Sequence, residues 1–201
     1  MIKKVLLATN NLHKVEEIKS IFTQANLEID LVTLDQLSNP PEVIEDGPTF
    51  PDNALKKARE LCAFSGLVTI ADDSGLVVEA LDGEPGVLSA RWAGAHGDDL
   101  ANLNLVLEQM KDVALDLRQA SFICAAAIAL PNGKELSVLG EVKGSLTLEP
   151  RGEHGFGYDP IFMPEGFSIT TAEMELSEKN KISHRGIAFR KLAVLIRDFL
   201  D

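Results

Sequence analysis

A chain of 201 residues, 45% hydrophobic and 25% charged, has an ordinary globular composition and is long enough to bury a full core without staples. Its net charge of −12 argues against sequence-independent binding of DNA or RNA, which needs a basic face, but leaves room for a small phosphorylated ligand met by a few local cations. No charged-then-apolar leader opens the chain and no apolar run is long enough to span a bilayer, so a cytoplasmic protein without a membrane partner is expected. Cys62 and Cys124 lie in apolar runs without metal-ligand spacing and read as buried, reduced core residues.

Lys3 to Thr9 reads as a buried strand, Asn10-Asn11 as a turn, and Leu12 to about Ala25 as a helix with Val15, Ile18, Ile21 and Phe22 on one face. Ile29 to Leu34 reads as a second strand, and the proline-rich, acidic stretch from Ser38 to Pro48 as a loop. Thr49 is placed to cap a helix that runs to about Ser65 and stops at Gly66. Leu67 to Ala71 is a third strand, ending at Asp72-Asp73-Ser74-Gly75. Gly75 is expected to turn the chain into a new apolar run, Leu76 to Leu81. A helix follows from about Asp98 to Lys111. Phe122 to Leu130 and Leu136 to Val142 are strands joined by a hairpin at Asn132-Gly133. Residues 150–168 mix glycines with aromatics, as a shaped loop does, and a last amphipathic helix runs from His184 to about Leu200. Strands alternate with helices before an antiparallel hairpin, so the fold class is α/β with a mixed sheet.

The chemistry is organised around Asp72-Asp73-Ser74-Gly75. Two carboxylates at a strand end are costly to bury unless cations or donors meet them, and oxygen ligands held rigidly at a sheet edge suit a hard metal. A solvated turn is the competing reading. Four other stretches bear on the choice. Thr9-Asn10-Asn11-Leu12-His13-Lys14 joins a strand to a helix N-terminus, where free N–H groups attract anions. Lys14 is awkward for the helix dipole there but suits a bound phosphate; a plain surface lysine is the alternative. Glu45-Asp46 run into a capped helix carrying Lys56 and Lys57. Glu45 can complete a metal site with Asp73 and Lys57 can face the same anion as Lys14, or the stretch is a solvated charged face. Gly155-Phe156-Gly157-Tyr158-Asp159 lets a ring approach a flat ligand, where stacking a base is worth roughly 1–3 kcal/mol; a tight turn burying its aromatics is the alternative. Lys179 and Ser183-His184-Arg185 supply donors suited to the O6 and N7 acceptors of a 6-oxo purine, which adenine's amino group would not match. The histidines at 13, 96, 154 and 184 show no metal-ligand spacing. Together the set fits a Mg²⁺–nucleoside triphosphate site, with metal on carboxylates, phosphates on lysines and base on the ring.

These stretches, in this order, resemble the non-canonical purine nucleoside triphosphate pyrophosphatases, the inosine triphosphate or dITP/XTP pyrophosphatases. The match rests on Thr9-x-Asn11-x-x-Lys14, Thr49 to Ala58, Ala71 to Leu76, Pro85-Gly86 with Ser89-Ala90-Arg91, Gly155 to Pro160 and Ser183 to Gly186. The resemblance implies one domain over residues 1–201: an elongated mixed sheet with flanking helices, two lobes and a central active-site groove. It implies a homodimer, Mg²⁺, and cleavage of dITP, ITP and XTP to the monophosphate and pyrophosphate. It assigns Asp73 as proton acceptor and metal ligand and Glu45 as the second metal carboxylate, with Asp46 competing. Substrate contacts would fall to Thr9, Asn10, Asn11, Leu12, His13, Lys14, Lys57 and Ser74. The base would meet Phe156, Gly157, Tyr158, Asp159, Lys179, His184 and Arg185. The family usually has glycine where this chain has Asn10; such a glycine suggests a positive φ or a close backbone approach to phosphate, and asparagine is expected to tolerate the left-handed region while altering the fit to phosphate. Two other readings stand beside this one. A non-catalytic purine nucleotide sensor would gain little from the Asp72-Asp73 pair beside a triphosphate. A pyrophosphatase for modified pyrimidines or 7-methylguanine nucleotides would not carry these Ser-His-Arg and Gly-Phe-Gly-Tyr-Asp motifs.

Overall fold

The structure is a computed structural model that describes residues 3–200; the ends of the expected 1–201 domain lie outside the described residues. Six strands form one sheet in the order β2-β1-β3-β4-β5-β6. They are β1 (Lys3–Leu7), β2 (Ile29–Thr33), β3 (Val68–Val78), β4 (Gln119–Ala129), β5 (Glu135–Leu146) and β6 (Phe162–Pro164). β1 runs parallel to β2 and β3, while β6 is antiparallel to β5, so the sheet is mixed as expected. The helices are α1 (Leu12–Gln24), α2 (Phe50–Ser65), α3 (Asp99–Gln109), α4 (Leu176–Ile182) and α5 (His184–Leu200). The seven-residue α4 has no counterpart in the sequence reading, being too short to show a hydrophobic period.

The chain divides into two compact units. The first takes the chain up to Asp73, Cys124–Gly140 and the chain from Arg185 on. Val5, Leu7 and Ile70 of its parallel strands are buried with Ile18, Ile21 and Phe22 of α1 and Phe189, Leu192 and Ile196 of α5. Phe22 and Phe189 meet edge to face, 5.7 Å between centroids. Each such fully buried side chain contributes about 1.5–3 kcal/mol by leaving water. Thr49 caps α2 by accepting the Asp52 N–H, and Gly66 ends it in the left-handed conformation at φ 69°. Both follow the sequence signals. Cys62 and Cys124 are free and buried, and burial pushes the Cys124 thiol up to about 12, which keeps it unreactive.

The second unit comprises Ser74–Ile123 and Glu141–His184. Leu103, Val106 and Met110 of α3 pack with Leu76, Val78, Phe122, Tyr158 and Phe162. The Arg118 guanidinium is buried here and donates to main-chain carbonyls of Met110 (2.6 Å), Leu146 (3.0 Å) and Thr147 (2.8 Å). Part of the stretch read as a shaped loop is regular, since β6 follows one 3-10 turn, Asp159–Ile161.

The expected break after Ala71 does not occur. β3 runs unbroken through Asp72, Asp73, Ser74 and Gly75 to Val78, and Gly75 is not among the positive-φ glycines. Its requirement is space: a Cβ there would lie 2.3 Å from the Ser89 hydroxyl and 2.4 Å from the Gly86 carbonyl. The acid pair therefore sits in mid-strand, where successive side chains leave on opposite faces.

Candidate active site

In the first unit, β1 delivers the chain to the N-terminus of α1. Asn11 caps it by accepting the Lys14 N–H at 3.2 Å, and the Thr9 hydroxyl accepts the Asn11 N–H at 3.2 Å. Asn10, Asn11, Leu12 and His13 are exposed on this turn, Leu12 at 75% despite being apolar. Asn10 is not among the residues with positive φ, which besides glycines are Asn26, Asn39 and Asp82. Of the two reasons for a glycine there, a positive φ does not apply, and asparagine fits the backbone without left-handed strain.

Lys14 reaches from α1 to Asp72, Nζ to Oδ2 3.0 Å. Asp72 is fully buried and also meets the Arg185 guanidinium at 3.4 Å. Arg185 itself is 2% exposed and donates from Nη1 to Glu17 Oε2 at 2.6 Å. Burial works to raise the Asp72 pKa, but the charges of Lys14, Arg185 and Lys57 overcome it and hold the carboxyl well below the usual carboxylate range. Burial opposes the charge on Arg185 as well, and Glu17 and Asp72 outweigh it, so the guanidinium stays firmly protonated.

Asp73 has the opposite character. Burial, followed by the nearby Glu45 charge, pushes it up to about 6, against the pull of an Asn53 hydrogen bond and of Lys57 and Lys14. Asn53 is fully buried in the first turn of α2. Its Nδ2 donates to Asp73 Oδ2 at 2.9 Å, and its Oδ1 accepts the Gly47 N–H at 2.7 Å. Lys57, one turn further on, pairs with Glu45. Burial works to lower the Lys57 pKa, but Asp72 and Glu45 reverse it and the ammonium is stabilised. Asp46, 67% exposed, pairs instead with Lys56.

The first unit thus brings together Lys14, Glu45, Lys57, Asp72, Asp73 and Arg185. Sequence reasoning missed two buried polar residues in this set. Asn53 lies inside the quoted Thr49-to-Ala58 motif, but its role depends on a partner twenty residues away in sequence. Glu17 follows Lys14 by three residues on α1, and that spacing was the available signal that it turns inward with Lys14 rather than toward water. Among the described residues no group of three or more His, Cys, Asp or Glu is preassembled for a metal. Magnesium does not require one, because it binds through one or two carboxylates plus waters and substrate phosphates. The mutual repulsion of Asp73 and Glu45, which raises Asp73, is what a hard divalent cation would relieve.

In the second unit, the loop 155–159 is built on glycines at φ 77° and 60° (Gly155 and Gly157). A Cβ on Gly155 would lie 2.1 Å from the Asp159 carboxylate, so glycine is needed there. Asp159 Oδ2 accepts the Phe156 N–H at 2.9 Å and pairs with Lys179 at 2.6 Å, while its Oδ1 accepts from the Thr171 hydroxyl at 2.8 Å. Lys179 Nζ stands over the Phe156 ring, 5.1 Å from its centroid. The buried Tyr158 hydroxyl donates to the Ser89 carbonyl at 2.9 Å. His184 stacks on Phe122 with centroids 4.7 Å apart, and Ser74 is half-buried on β3.

An α/β protein with buried carboxylates and lysines gathered beside a helix N-terminus, and a glycine loop carrying a half-buried ring, has the donor set of proteins that handle phosphorylated ligands with hard cations. The Ham1 family pattern matches residues 5–195, and the chain belongs to the Ham1 family. A dITP/XTP pyrophosphatase of Streptomyces coelicolor is 52% identical over 197 residues, 98% of each chain. Among solved structures, the nucleoside-triphosphatase / dITP/XTP pyrophosphatase of Mycobacterium abscessus is 47% identical, with a TM-score of 0.76 over 96% of this chain and 97% of that one. A HAM1 protein from Coxiella burnetii, 38% identical, superposes with a TM-score of 0.88 over 98% of this chain and all of the other.

Proposed function

We propose that this chain is a Mg²⁺-dependent nucleoside triphosphate pyrophosphatase that hydrolyses dITP, ITP and XTP to the monophosphate and pyrophosphate, clearing deaminated purines from the nucleotide pool. The observation that carries the reading is Asp73: a buried carboxylate raised to about 6, oriented by Asn53 and set beside Glu45 and Lys57. A general base works best with a pKa near the operating pH. The relatives named dITP/XTP pyrophosphatase support the same reaction and substrate class.

In this reading, Asp73 takes a proton from water as its oxygen attacks the α-phosphorus. The bond from that phosphorus to the oxygen bridging to the β-phosphorus breaks, and pyrophosphate leaves. Lys14 and Lys57 turn from Asp72 and Glu45 toward phosphate oxygens, and residues 9–13 line the substrate at the α1 N-terminus, where the helix dipole favours an anion. Glu45 and Asp73 would hold the magnesium, which when bound would supply charge neutralisation at the phosphates. Phe156 stacks on the base, Gly157, Tyr158 and Asp159 shape its pocket, and Ser74 touches substrate. Lys179, His184 and Arg185 favour the 6-oxo purine, Arg185 from its fixed position against Glu17 and Asp72. A homodimer is carried by the family resemblance, and a cytoplasmic location by the sequence reading; among the described residues no helix is long and apolar enough to cross a membrane.

The test is pyrophosphate release from ITP, dITP, XTP, ATP and GTP, each with and without Mg²⁺. Fast, metal-dependent release from the first three alone supports reaction and substrate class together. Tight ITP binding without release from any nucleotide would replace the reading with a sensor. Release from all five would keep the chemistry and remove the base-edge assignment.

A further inference from the structure

Two consecutive main-chain N–H groups in the loop 155–159 are each taken by a carboxylate. The Phe156 N–H goes to Asp159, three residues on, which closes the turn upon itself. The Gly157 N–H goes to Asp99 Oδ2 at 2.8 Å, a residue 58 positions earlier in the chain. Asp99 stands in the first turn of α3, where a negative charge is favoured by the helix dipole. That turn is itself pinned. Asp98 caps it by accepting the Ala101 N–H at 3.0 Å, and the buried Asn102 Oδ1 accepts the Ala93 N–H at 2.7 Å. The Asp159 bond fixes the shape of the turn and the Asp159–Lys179 pair ties it to α4, while the Asp99 bond ties the main chain of the ring-bearing segment to the first turn of α3. The Asp99 charge also reaches Tyr158, where burial first and then Asp99 push the phenol up and keep it a donor to Ser89.

We infer that Asp99 is a positioning residue for purine binding, holding the Gly157 N–H so that the Phe156 ring is presented ready to stack on the base. The inference rests on the proposed role of Phe156. Gly157 has φ 60°, a conformation a glycine adopts without strain but does not prefer over others, so the bond from its N–H to Asp99 helps to select it. A hydrogen bond to a charged acceptor is stronger than a neutral one, and here it orders a glycine, the residue that loses most freedom when fixed.

The experiment measures steady-state ITP hydrolysis by Asp99→Ala, Asp99→Asn, Phe156→Ala and the Asp99→Ala/Phe156→Ala double variant, with exchange of the Gly157 amide hydrogen followed in parallel. Loss of one such bond is expected to raise KM for ITP about fivefold in Asp99→Ala, with kcat within about twofold. Asn keeps an acceptor oxygen, so Asp99→Asn should stay near wild type. In the Phe156→Ala background the Asp99→Ala effect should vanish, because residues acting as one unit are not additive. The Gly157 amide should exchange faster in Asp99→Ala whatever the activity. Three results would each overturn the inference alone: a normal KM in Asp99→Ala while Phe156→Ala is impaired, equal losses in both backgrounds, or unchanged Gly157 exchange. A normal KM in Phe156→Ala would remove the stacking role of Phe156 and the inference with it.

Discussion

Asn53 and Asp73 form a buried side-chain pair in which the amide nitrogen donates to the carboxylate at 2.9 Å and the amide oxygen is occupied by the Gly47 N–H. Both ends of Asn53 are used, so its amide cannot flip without breaking two bonds. It is a neutral donor that pulls the Asp73 pKa down. Replacing it with alanine should move the acid limb of the pH–rate profile to higher pH, since the ionised form of Asp73 loses its donor. The stability cost should be about 1–3 kcal/mol, from buried groups left unpaired. A pH–rate profile and a urea titration check the two parts separately.

Asp73→Asn should lower turnover by roughly a hundred- to ten-thousand-fold, the range of a lost general base, while ITP still binds. Near-normal turnover would remove Asp73 from the mechanism. The same variant should be more stable than wild type in metal-free buffer at neutral pH. The folded carboxyl sits at about 6, above its unfolded value, so its ionisation costs stability. That cost is fully present above pH 6, shrinks as pH falls, and is absent below the unfolded pKa. The gain should be on the order of 2 kcal/mol at pH 8 and disappear near pH 4. Thermal midpoints across that range decide it.

Glu17 should matter without touching the phosphates or the base. Its carboxylate is buried against Arg185 at 2.6 Å. Glu17→Ala leaves a buried guanidinium short of one anion, and breaking such a pair costs about 3–5 kcal/mol. Glu17→Gln, which keeps an acceptor, should cost less. Arg185→Ala should show a comparable loss of stability and, in the proposed role, should impair ITP hydrolysis far more than residual ATP hydrolysis. Equal loss with both nucleotides would leave Arg185 with the fold alone.

Gly75→Ala is the sharpest test of the continuous β3. A turn glycine would accept alanine with modest strain, whereas here the new methyl meets the Ser89 hydroxyl and the Gly86 carbonyl well inside contact distance. Overpacking of this kind typically costs about 1–3 kcal/mol, which a urea titration of Gly75→Ala against wild type measures.

The elements legible in the sequence were those with local signals. Thr49 and Gly66 bound α2 because a cap and a left-handed stop act within a few residues. α5 begins at His184 as its periodicity implied, and Asn132-Gly133 marked the connection where Leu130 and Lys134 now bond. Asp-Asp-Ser-Gly misled because turn propensity is local, while β3, which lies between β1 and β4 in the sheet, continues through it to Val78. Long-range partners also account for what was missed at the site. Nothing near Asn53 announces Asp73, and nothing near Gly157 announces Asp99. The motifs contain the residues proposed to react; Asn53 and Asp99, which bond to Asp73 and to the Gly157 N–H, are brought there by tertiary contacts.

Arg118 is a buried cation whose bonds run to peptide oxygens of Met110, Leu146 and Thr147. Peptide oxygens do not titrate in the biological range and carry no net charge for dissolved salt to screen. The join between the end of α3 and the end of β5 should therefore hold equally well at low and high salt, whereas exposed ion pairs such as Lys56–Asp46 and Lys111–Glu108 weaken as salt rises. Protection of the amides flanking Arg118 should change little across a salt series that loosens those pairs, which makes this join a fixed reference against which movement of the ionic residues can be measured.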